Sequence, residues 1–153
     1  ELEIDSQPVD GLTLQLGLGA LHAVAKDIPT ITGDAIRDRE MVGAPDLSVN
    51  GLIRYEWPTL GGRFALQGSG SYLKDIWYDI QNHPISAMDS YEVWNARISY
   101  RTSDDKWSLT GFVNNVADEE YRAYSFDVTN LFGFNQVAYG RPRWGGVSLR
   151  YNL

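Results

Sequence analysis

The stretch LTLQLGLGAL, residues 12–21, decides the fold of this chain. Leucine occupies every even-numbered position from 12 to 18, and the odd-numbered positions hold Thr13, Gln15, Gly17 and Gly19. Successive side chains of a β-strand point to opposite faces, so this alternation indicates a strand with one apolar and one polar face. We therefore predict a β-strand with two unlike faces over these residues.

Six further blocks show the same alternation of apolar and polar residues. They are ELEIDSQ (residues 1–7), LSVNGLIRYEW (47–57), RFALQGSGSY (63–72), YEVWNARISY (91–100), WSLTGFVN (107–114) and GVSLRYNL (146–153). No segment has the periodicity of an amphipathic helix. The chain is therefore predicted to be all-β, with about seven strands in an antiparallel up-and-down meander and no helices between them.

Two kinds of connection alternate along the chain. Three are tight turns rich in Pro, Gly and Asp: PVDG (8–11), PTLGG (58–62) and TSDDK (102–106). The other three are long loops of roughly residues 23–45, 74–89 and 115–142. One rim of the sheet is thus expected to carry only short turns, as in an outer-membrane barrel with short periplasmic turns and long extracellular loops. A soluble sandwich has no reason for this asymmetry.

The polar face also favours a membrane barrel, because it has few of the Lys and Glu pairs typical of a solvated exterior. We predict that the apolar face, with Ile53, contacts lipid and that the polar face, with Arg54, lines a water-filled lumen. Two aromatic girdles are expected: Tyr55, Trp57, Tyr100 and Trp107 beside the short turns, and Tyr72, Tyr91 and Trp94 near the long loops. The alternative is that these are core aromatics of a β-sandwich.

The composition excludes several classes of function. The chain has 153 residues, a size that fits one domain, with 20 acidic and 13 basic residues and a net charge of -7. A nucleic-acid partner, which needs a basic surface, is therefore not expected. The absence of Cys removes Cys-based zinc sites and thiol catalysis. The sequence has no apolar run approaching about 18 residues, so a transmembrane helix is excluded too.

The number of strands indicates that the chain does not form a barrel by itself. Seven strands place the first and the last residue on opposite rims, whereas a complete bacterial barrel has an even number of strands. An open sheet would also leave unpaired backbone groups in lipid. We therefore expect the chain to be a segment of a larger transmembrane β-barrel.

Four segments carry a resemblance to a known family. They are ELEIDSQPVDGLTLQLGLG (1–19), GAPDLSVN (43–50), WSLTGFVNNVADEEYR (107–122) and YGRPRWGGVSLRYNL (139–153). In this order they resemble a strand-turn-strand unit, a segment returning from an extracellular loop, the penultimate strand and the closing strand of TonB-dependent outer-membrane receptors. Residues 1–153 are thereby similar to the C-terminal part of such a β-barrel, with the plug domain and the earlier strands absent.

The resemblance implies a barrel of the 22-stranded type with an N-terminal plug, in the outer membrane of a Gram-negative bacterium. Such receptors are not enzymes; they import scarce ligands, most often ferric siderophores, and no cofactor is implied. The implied partners are outer-membrane lipid, the remainder of the barrel and the plug, TonB through the missing N-terminal part, and a small molecule such as a ferric chelate. Cobalamin, haem and oligosaccharides stay open as ligands.

Two functions of other classes also stay open. One is a small outer-membrane barrel with a structural or adhesive role, which would have no plug domain upstream. The other is a soluble β-sandwich binding module, which would partition into the aqueous phase without detergent.

No catalytic constellation is visible. The two histidines, His22 and His83, lie in or beside different loops, and the sequence has neither a nucleophile elbow nor a HExxH helix. Two groups of acids occur in the long loops: Asp75, Asp79 and Asp89, and residues 118–120. Neither spacing matches a calcium-binding EF-hand, so ordinary solvated loop charge is the favoured interpretation. We predict no catalytic site and no metal site.

Loop aromatics and cations are the better functional candidates. The predicted ligand-binding residues are Trp77, Tyr78, Arg97, Arg122, Tyr124 and Phe126. The aromatic members lie in the second and third long loops, where rings can stack on flat catecholate or sugar ligands. The arginines lie on the polar face or near the barrel mouth and can attract an anionic chelate. The alternative is that the aromatics pack the loops together and the arginines pair with lumen acids such as Glu56 and Glu92.

Overall fold

The computed structural model describes residues 1–33 and 35–152, except for the side chain of Asn130. Its strands, numbered in chain order, are β1 (Leu2–Ser6), β2 (Leu12–Ala20), β3 (Val24–Pro29), β4 (Ile36–Glu40), β5 (Leu47–Thr59), β6 (Gly62–Leu73), β7 (Ile76–Trp77), β8 (Ala87–Met88), β9 (Tyr91–Thr102), β10 (Trp107–Asn114), β11 (Arg122–Asp127), β12 (Asn135–Tyr139) and β13 (Trp144–Tyr151). Leu153, the last residue of the predicted closing strand, lies outside the described residues.

Seven of these strands form one antiparallel sheet in the order β1-β2-β5-β6-β9-β10-β13. The order along the sheet is the order along the chain, so the sheet is an up-and-down meander. Each of the seven strands begins within two residues of its predicted start. The predicted all-β class, the seven strands and their order are confirmed.

The register brings the apolar positions of all neighbouring strands onto one face. Ile53 of β5 pairs with Leu14 of β2 and with Gly68 of β6. The same row continues from Gly68 to Ala96 of β9 and then to Val113 of β10. Because the side-chain period of a strand is two, this register also collects the polar positions on the other face.

The apolar face is not covered by other parts of the described chain. Ile53 at the middle of the sheet is 54% exposed, and Leu149 of β13 is 65% exposed. The described residues contain four buried apolar side chains: Ala65, Ile76, Met88 and Val128. Three of these belong to the long loops, and none lies under a second sheet. A soluble β-sandwich, which needs such a sheet over its apolar face, is therefore not the fold.

The three short connections turn tightly because each has a residue with positive φ. These residues are Gly11 (φ 79°), Gly61 (φ 80°) and Asp105 (φ 57°). Gly11 is also held against β5, since Glu56 donates its backbone N–H to the Gly11 carbonyl at 2.8 Å. A Cβ on Gly11 would overlap the carbonyl oxygen of Glu56, so this turn requires glycine. The meander places all three turns on one rim, as predicted.

Each long loop contains a two-stranded ribbon: β3 with β4, β7 with β8, and β11 with β12. The expectation of no helices is wrong for two single turns, the 3-10 turn Pro84–Ser86 and the helix α1 (Thr129–Phe132). The first and third ribbons contain register shifts, at residues 25–28 and 122–124, which break the alternation that reveals a strand in sequence. No helix of the described residues is long and apolar enough to cross a membrane.

Aromatic rings form a band on the apolar face along the short-turn rim. The contacting pairs, with centroids 4.6–6.0 Å apart, are Tyr55–Trp57, Trp57–Phe64, Phe64–Tyr100 and Trp107–Tyr151. Near the long loops, Trp94 lies over Gly70 on the same face. Tyr91, however, pairs with Leu73 on the polar side and stacks on Tyr121 of the third loop at 4.5 Å. The assignment of Tyr91 to an outer girdle is wrong, because closeness to a loop does not decide the face of a strand residue.

Candidate ligand-binding site

The three long loops contact one another above the rim opposite the short turns. We call their described residues within 21–46, 74–90 and 115–143 the loop cluster. The first and second loops meet at Glu40, whose side chain accepts the indole N–H of Trp77 at 2.7 Å. Asn82 holds the backbone of Glu40 from both sides, accepting its N–H at 2.8 Å and donating to its carbonyl at 3.1 Å. Trp77, a predicted ligand residue, thus serves to join two loops.

Tyr78 and Arg122 join the second loop to the third. The hydroxyl of Tyr78 donates to the carbonyl of Arg122 at 2.8 Å. The guanidinium of Arg122 in turn donates to the carbonyls of Ile85 at 3.0 Å and Ala87 at 2.8 Å. Burial raises the pKa of the Tyr78 hydroxyl, with a smaller contribution from Tyr91, so the hydroxyl remains a donor. The contacts of Tyr78 match the alternative in which the aromatics pack the loops together, whereas Arg122 binds these carbonyls in place of the lumen acids that the alternative gave it.

Tyr124 and Phe126 form an exposed aromatic pair on β11. Their rings are nearly parallel, with centroids 6.5 Å apart and planes 15° apart. Tyr78 contacts Tyr124 in an edge-type arrangement, with ring centroids 6.2 Å apart. The two residues lie on the same face of β11, because they are two positions apart on a strand. Tyr124 is 50% and Phe126 51% exposed. Among the four predicted aromatic residues, these two are exposed, whereas Trp77 and Tyr78 are half-buried.

Arg97 does not join the loop cluster. It lies on β9, paired with Gln67 of β6 and Phe112 of β10 on the polar face of the sheet. It lines a hollow of about 380 Å³ whose charged members are Arg54, Glu56, Arg63, Arg97, Arg101 and Arg150. The hollow is thus strongly cationic.

The acids expected to neutralise these arginines do so only in part. Arg54 pairs with Glu56 at 2.8 Å, and Arg63 lies 3.6 Å from the same carboxylate. Glu92, the other expected lumen acid, pairs with Tyr72 on the apolar side, so that expectation is wrong. Arg63 also lines this hollow but was not among the predicted ligand-binding residues. The alternation that places Arg97 on the polar face places Arg63 on that face as well.

A second hollow, of about 450 Å³, lies between the polar face and the third loop. Its aromatic and cationic lining residues are Tyr121, Tyr139, Arg141 and Trp144. The guanidinium of Arg141 lies 5.7 Å from the Trp144 ring, and Asn115 holds the Arg141 carbonyl at 3.1 Å. Tyr121 fits against Gly140, where a Cβ would overlap its ring. Rings beside a cation suit a flat anionic ligand. The predicted ligand-binding residues do not include this site, although the segment YGRPRW (139–144), with two aromatic residues and two Arg, could have indicated it.

The two histidines stay apart, as their sequence positions predicted. His22 of the first loop lies 3.9 Å from Asp46. His83 of the second loop lies between Asp79 and Asp127, a grouping that the sequence did not reveal because Asp127 belongs to the third loop. Hydrogen bonds from the hydroxyl and the N–H of Thr129 hold the pKa of Asp127 below its usual value.

Three solved structures share the fold of this chain. The ferric yersiniabactin uptake receptor FyuA from Yersinia pestis matches with 12% identity and a TM-score of 0.74, over 97% of this chain and 22% of that one. BauA, the ferric preacinetobactin receptor from Acinetobacter baumannii, matches with 16% identity and a TM-score of 0.75, over 97% and 21%. FpvA of P. aeruginosa, bound to a heterologous pyoverdine, matches with 22% identity and a TM-score of 0.68, over 97% and 18%.

At these identities the likeness shows the fold, and this chain spans about a fifth of the length of each structure. No curated protein sequence matches the chain. The family model described as TonB dependent receptor-like, beta-barrel, matches residues 1–116, which is most of the chain. The seven-stranded meander, the exposed apolar face and the loop cluster on one rim agree with that match. The chain belongs to the TonB-dependent receptor-like β-barrel family.

Proposed function

We propose that residues 1–153 are the C-terminal part of the barrel of an outer-membrane receptor for TonB-dependent uptake of a scarce ligand. A ferric siderophore is the leading substrate, because two of the three solved structures described above are receptors named for a ferric ligand and the third is bound to a pyoverdine–iron complex. The plug domain, the earlier strands and the segment that contacts TonB would lie elsewhere in the longer protein. The chain would then form part of the barrel wall of a transporter and part of its ligand-binding opening, in the outer membrane of a Gram-negative bacterium. It would not act as an enzyme.

The exposed apolar face is the observation that carries this proposal. A surface that runs from Leu14 through Ile53 to Val113 would be unstable in water, and contact with lipid is the ordinary solution for such a face. The outer strands β1 and β13 each have one partner among the described strands. Because hydrocarbon offers no hydrogen bonds, their free edges require further strands, which supports a place in a larger closed barrel.

The ligand would bind where the loop cluster meets the polar face. The exposed pair Tyr124 and Phe126 provides stacking surface, and the hollow beside Arg141 provides a cation with aromatic neighbours. Arg97, deeper on the polar face, would attract an anionic chelate along the lumen. Trp77, Tyr78 and Arg122 would act indirectly, by holding the loops in place.

Removing the exposed rings tests the contact with ligand. The double variant Tyr124→Ala and Phe126→Ala in the full-length receptor should raise the Kd for the true ligand between about 5- and 150-fold, since each stacked ring contributes roughly 0.5–1.5 kcal/mol. Equilibrium binding to detergent-purified receptor, with ferric siderophores, haem, cobalamin and oligosaccharides offered in turn, measures this. TonB-dependent uptake of the ligand that binds then tests transport.

A matched control removes two other exposed rings of the same loop. They are Phe132 and Phe134, whose ring centroids lie 6.2 Å apart. Replacing both by Ala should leave the Kd within about 2-fold of wild type. Unchanged affinity in the Tyr124/Phe126 variant would contradict the proposed contact. Binding of none of the four ligand classes, together with no TonB-dependent uptake, would favour a structural or adhesive barrel instead.

A further inference from the structure

Three metal-ligating side chains converge between the second and third long loops. They are Asp79, His83 and Asp127, and one ligand atom from each lies within 4.8 Å of the others. The Nδ1 atom of His83 is 3.7 Å from Asp79 Oδ1 and 3.3 Å from Asp127 Oδ2. In a tetrahedral site with metal–ligand distances of about 2.0–2.1 Å, the ligand atoms are about 3.3 Å apart. The group therefore needs little rearrangement to enclose an ion.

The charge of this group is not balanced by the protein. The two carboxylates face one imidazole, and no Lys or Arg in the described part of the chain lies within ion-pair distance of either. The side chain of Asp127 is only 6% exposed and that of Asp79 20% exposed, so water screens them weakly. Two partly buried carboxyl groups therefore converge on one histidine, and a bound cation would offset their charge.

Both carboxylates are held in place by hydrogen bonds. Asp79 Oδ1 accepts the backbone N–H of Gln81 at 2.6 Å, and its Oδ2 accepts the backbone N–H of His83 at 3.1 Å and the hydroxyl of Ser86. Asp127 Oδ1 accepts the N–H of Thr129 at 2.9 Å, which leaves Oδ2 directed at His83. Such outer partners orient the ligands of metal sites. His83 is 37% exposed, so a water molecule can reach the open side as a fourth ligand.

The donor set selects the class of metal. Calcium and magnesium prefer all-oxygen sites, whereas one imidazole with carboxylates suits borderline divalent ions such as Zn²⁺. We propose that Asp79, His83 and Asp127 bind a divalent transition-metal ion of the zinc class, which joins the second long loop to the third. The prediction of no metal site considered spacing within single loops, and this site takes ligands from two.

Titration of the untagged full-length receptor with Zn²⁺ and Co²⁺ tests this site. Wild-type receptor should bind one equivalent of Zn²⁺, and Co²⁺ should give the absorption of a tetrahedral site. The variants His83→Gln and Asp127→Asn should lose at least about 10-fold in Zn²⁺ affinity, since even an outer partner of a metal ligand contributes about 10- to 100-fold. His83→Cys, which supplies a thiolate ligand in place of the imidazole, should keep the ion and add a thiolate–Co²⁺ band.

The matched control is His22→Gln, because His22 also lies near a carboxylate, that of Asp46, but has only one such neighbour. Its Zn²⁺ affinity should equal that of wild type. Circular dichroism of each variant confirms that the barrel is intact. The proposal is overturned if wild-type receptor binds no equivalent of Zn²⁺, or if His83→Gln and Asp127→Asn bind Zn²⁺ as tightly as the His22→Gln control.

Discussion

At the scale of single residues, alternation determines which way each strand side chain points. Ile53 is exposed on the apolar face and Arg54 lines the polar hollow, as their positions in the sequence predicted. The assignments of Tyr91 and Glu92 failed because they were made from closeness to a loop and from charge, not from the period of the strand. Within a recognised strand, the sequence is sufficient to assign a face.

A pair of adjacent substitutions tests the two faces at the middle of β5. Ile53→Arg places a charge in lipid and should lower the free energy of unfolding of the full-length receptor by about 2–4 kcal/mol. Leu52→Arg adds the same side chain to the polar face, between Gln15 and Ser69, and should cost clearly less. Denaturant titration in lipid vesicles measures both. Equal losses would mean that the faces do not differ in environment.

The candidate-site residues could be predicted by type but not by role. Aromatic residues in a loop indicate either ligand contact or packing, and the choice depends on neighbours that are distant in sequence. The guanidinium of Arg122, for example, binds carbonyls of Ile85 and Ala87, about 35 residues earlier in the chain. No local pattern encodes such contacts, and the same holds for the approach of Asp127 to His83.

At the scale of elements, the strands and short turns were predictable and the loop ribbons were not. Strands β5, β6 and β9 are 12 or 13 residues long and alternate over most of their length, so their signal is strong. The ribbon strands have two to six residues, and the first and third ribbons also contain register shifts. Their stability comes from contacts between loops, such as those at Glu40 and Arg122, and not from local periodicity.

Replacing two glycines of similar φ by Ala distinguishes the cost of a left-handed backbone conformation from the cost of steric overlap of the added Cβ. Gly43→Ala, at φ 65° with open space around its Cβ position, should cost about 1–2 kcal/mol for the left-handed conformation. Gly11→Ala carries the same cost and also forces the turn away from Glu56, so its loss of unfolding free energy should be larger by roughly 1 kcal/mol or more. Urea titration of the two receptor variants measures the difference. Equal losses would show that the Gly11 turn tolerates a Cβ.

At the scale of the whole molecule, the chain is a seven-stranded sheet with one apolar face and one cationic face, and the loop cluster forms a cross-linked cap on one rim. Strand count, strand order and the asymmetry of the two rims followed from the sequence, because each depends on local periodicity and turn chemistry. The shape of the cap did not, since it depends on packing among three segments. The proposed ligand specificity also depends on the whole molecule, because the cap would act together with parts of the receptor outside this chain.

The central claim, that the apolar face contacts lipid and the polar face lines the lumen, is tested most directly by spin labels along β5. This chain has no Cys, so single cysteines can be introduced at successive positions from 49 to 55 of the full-length receptor, with any Cys elsewhere replaced. In lipid bilayers, collision with oxygen should be greatest at the positions of Val49, Gly51, Ile53 and Tyr55. Collision with a water-soluble nickel complex should be greatest at the positions of Asn50, Leu52 and Arg54. Loss of this alternation, or its reversal, would contradict the account.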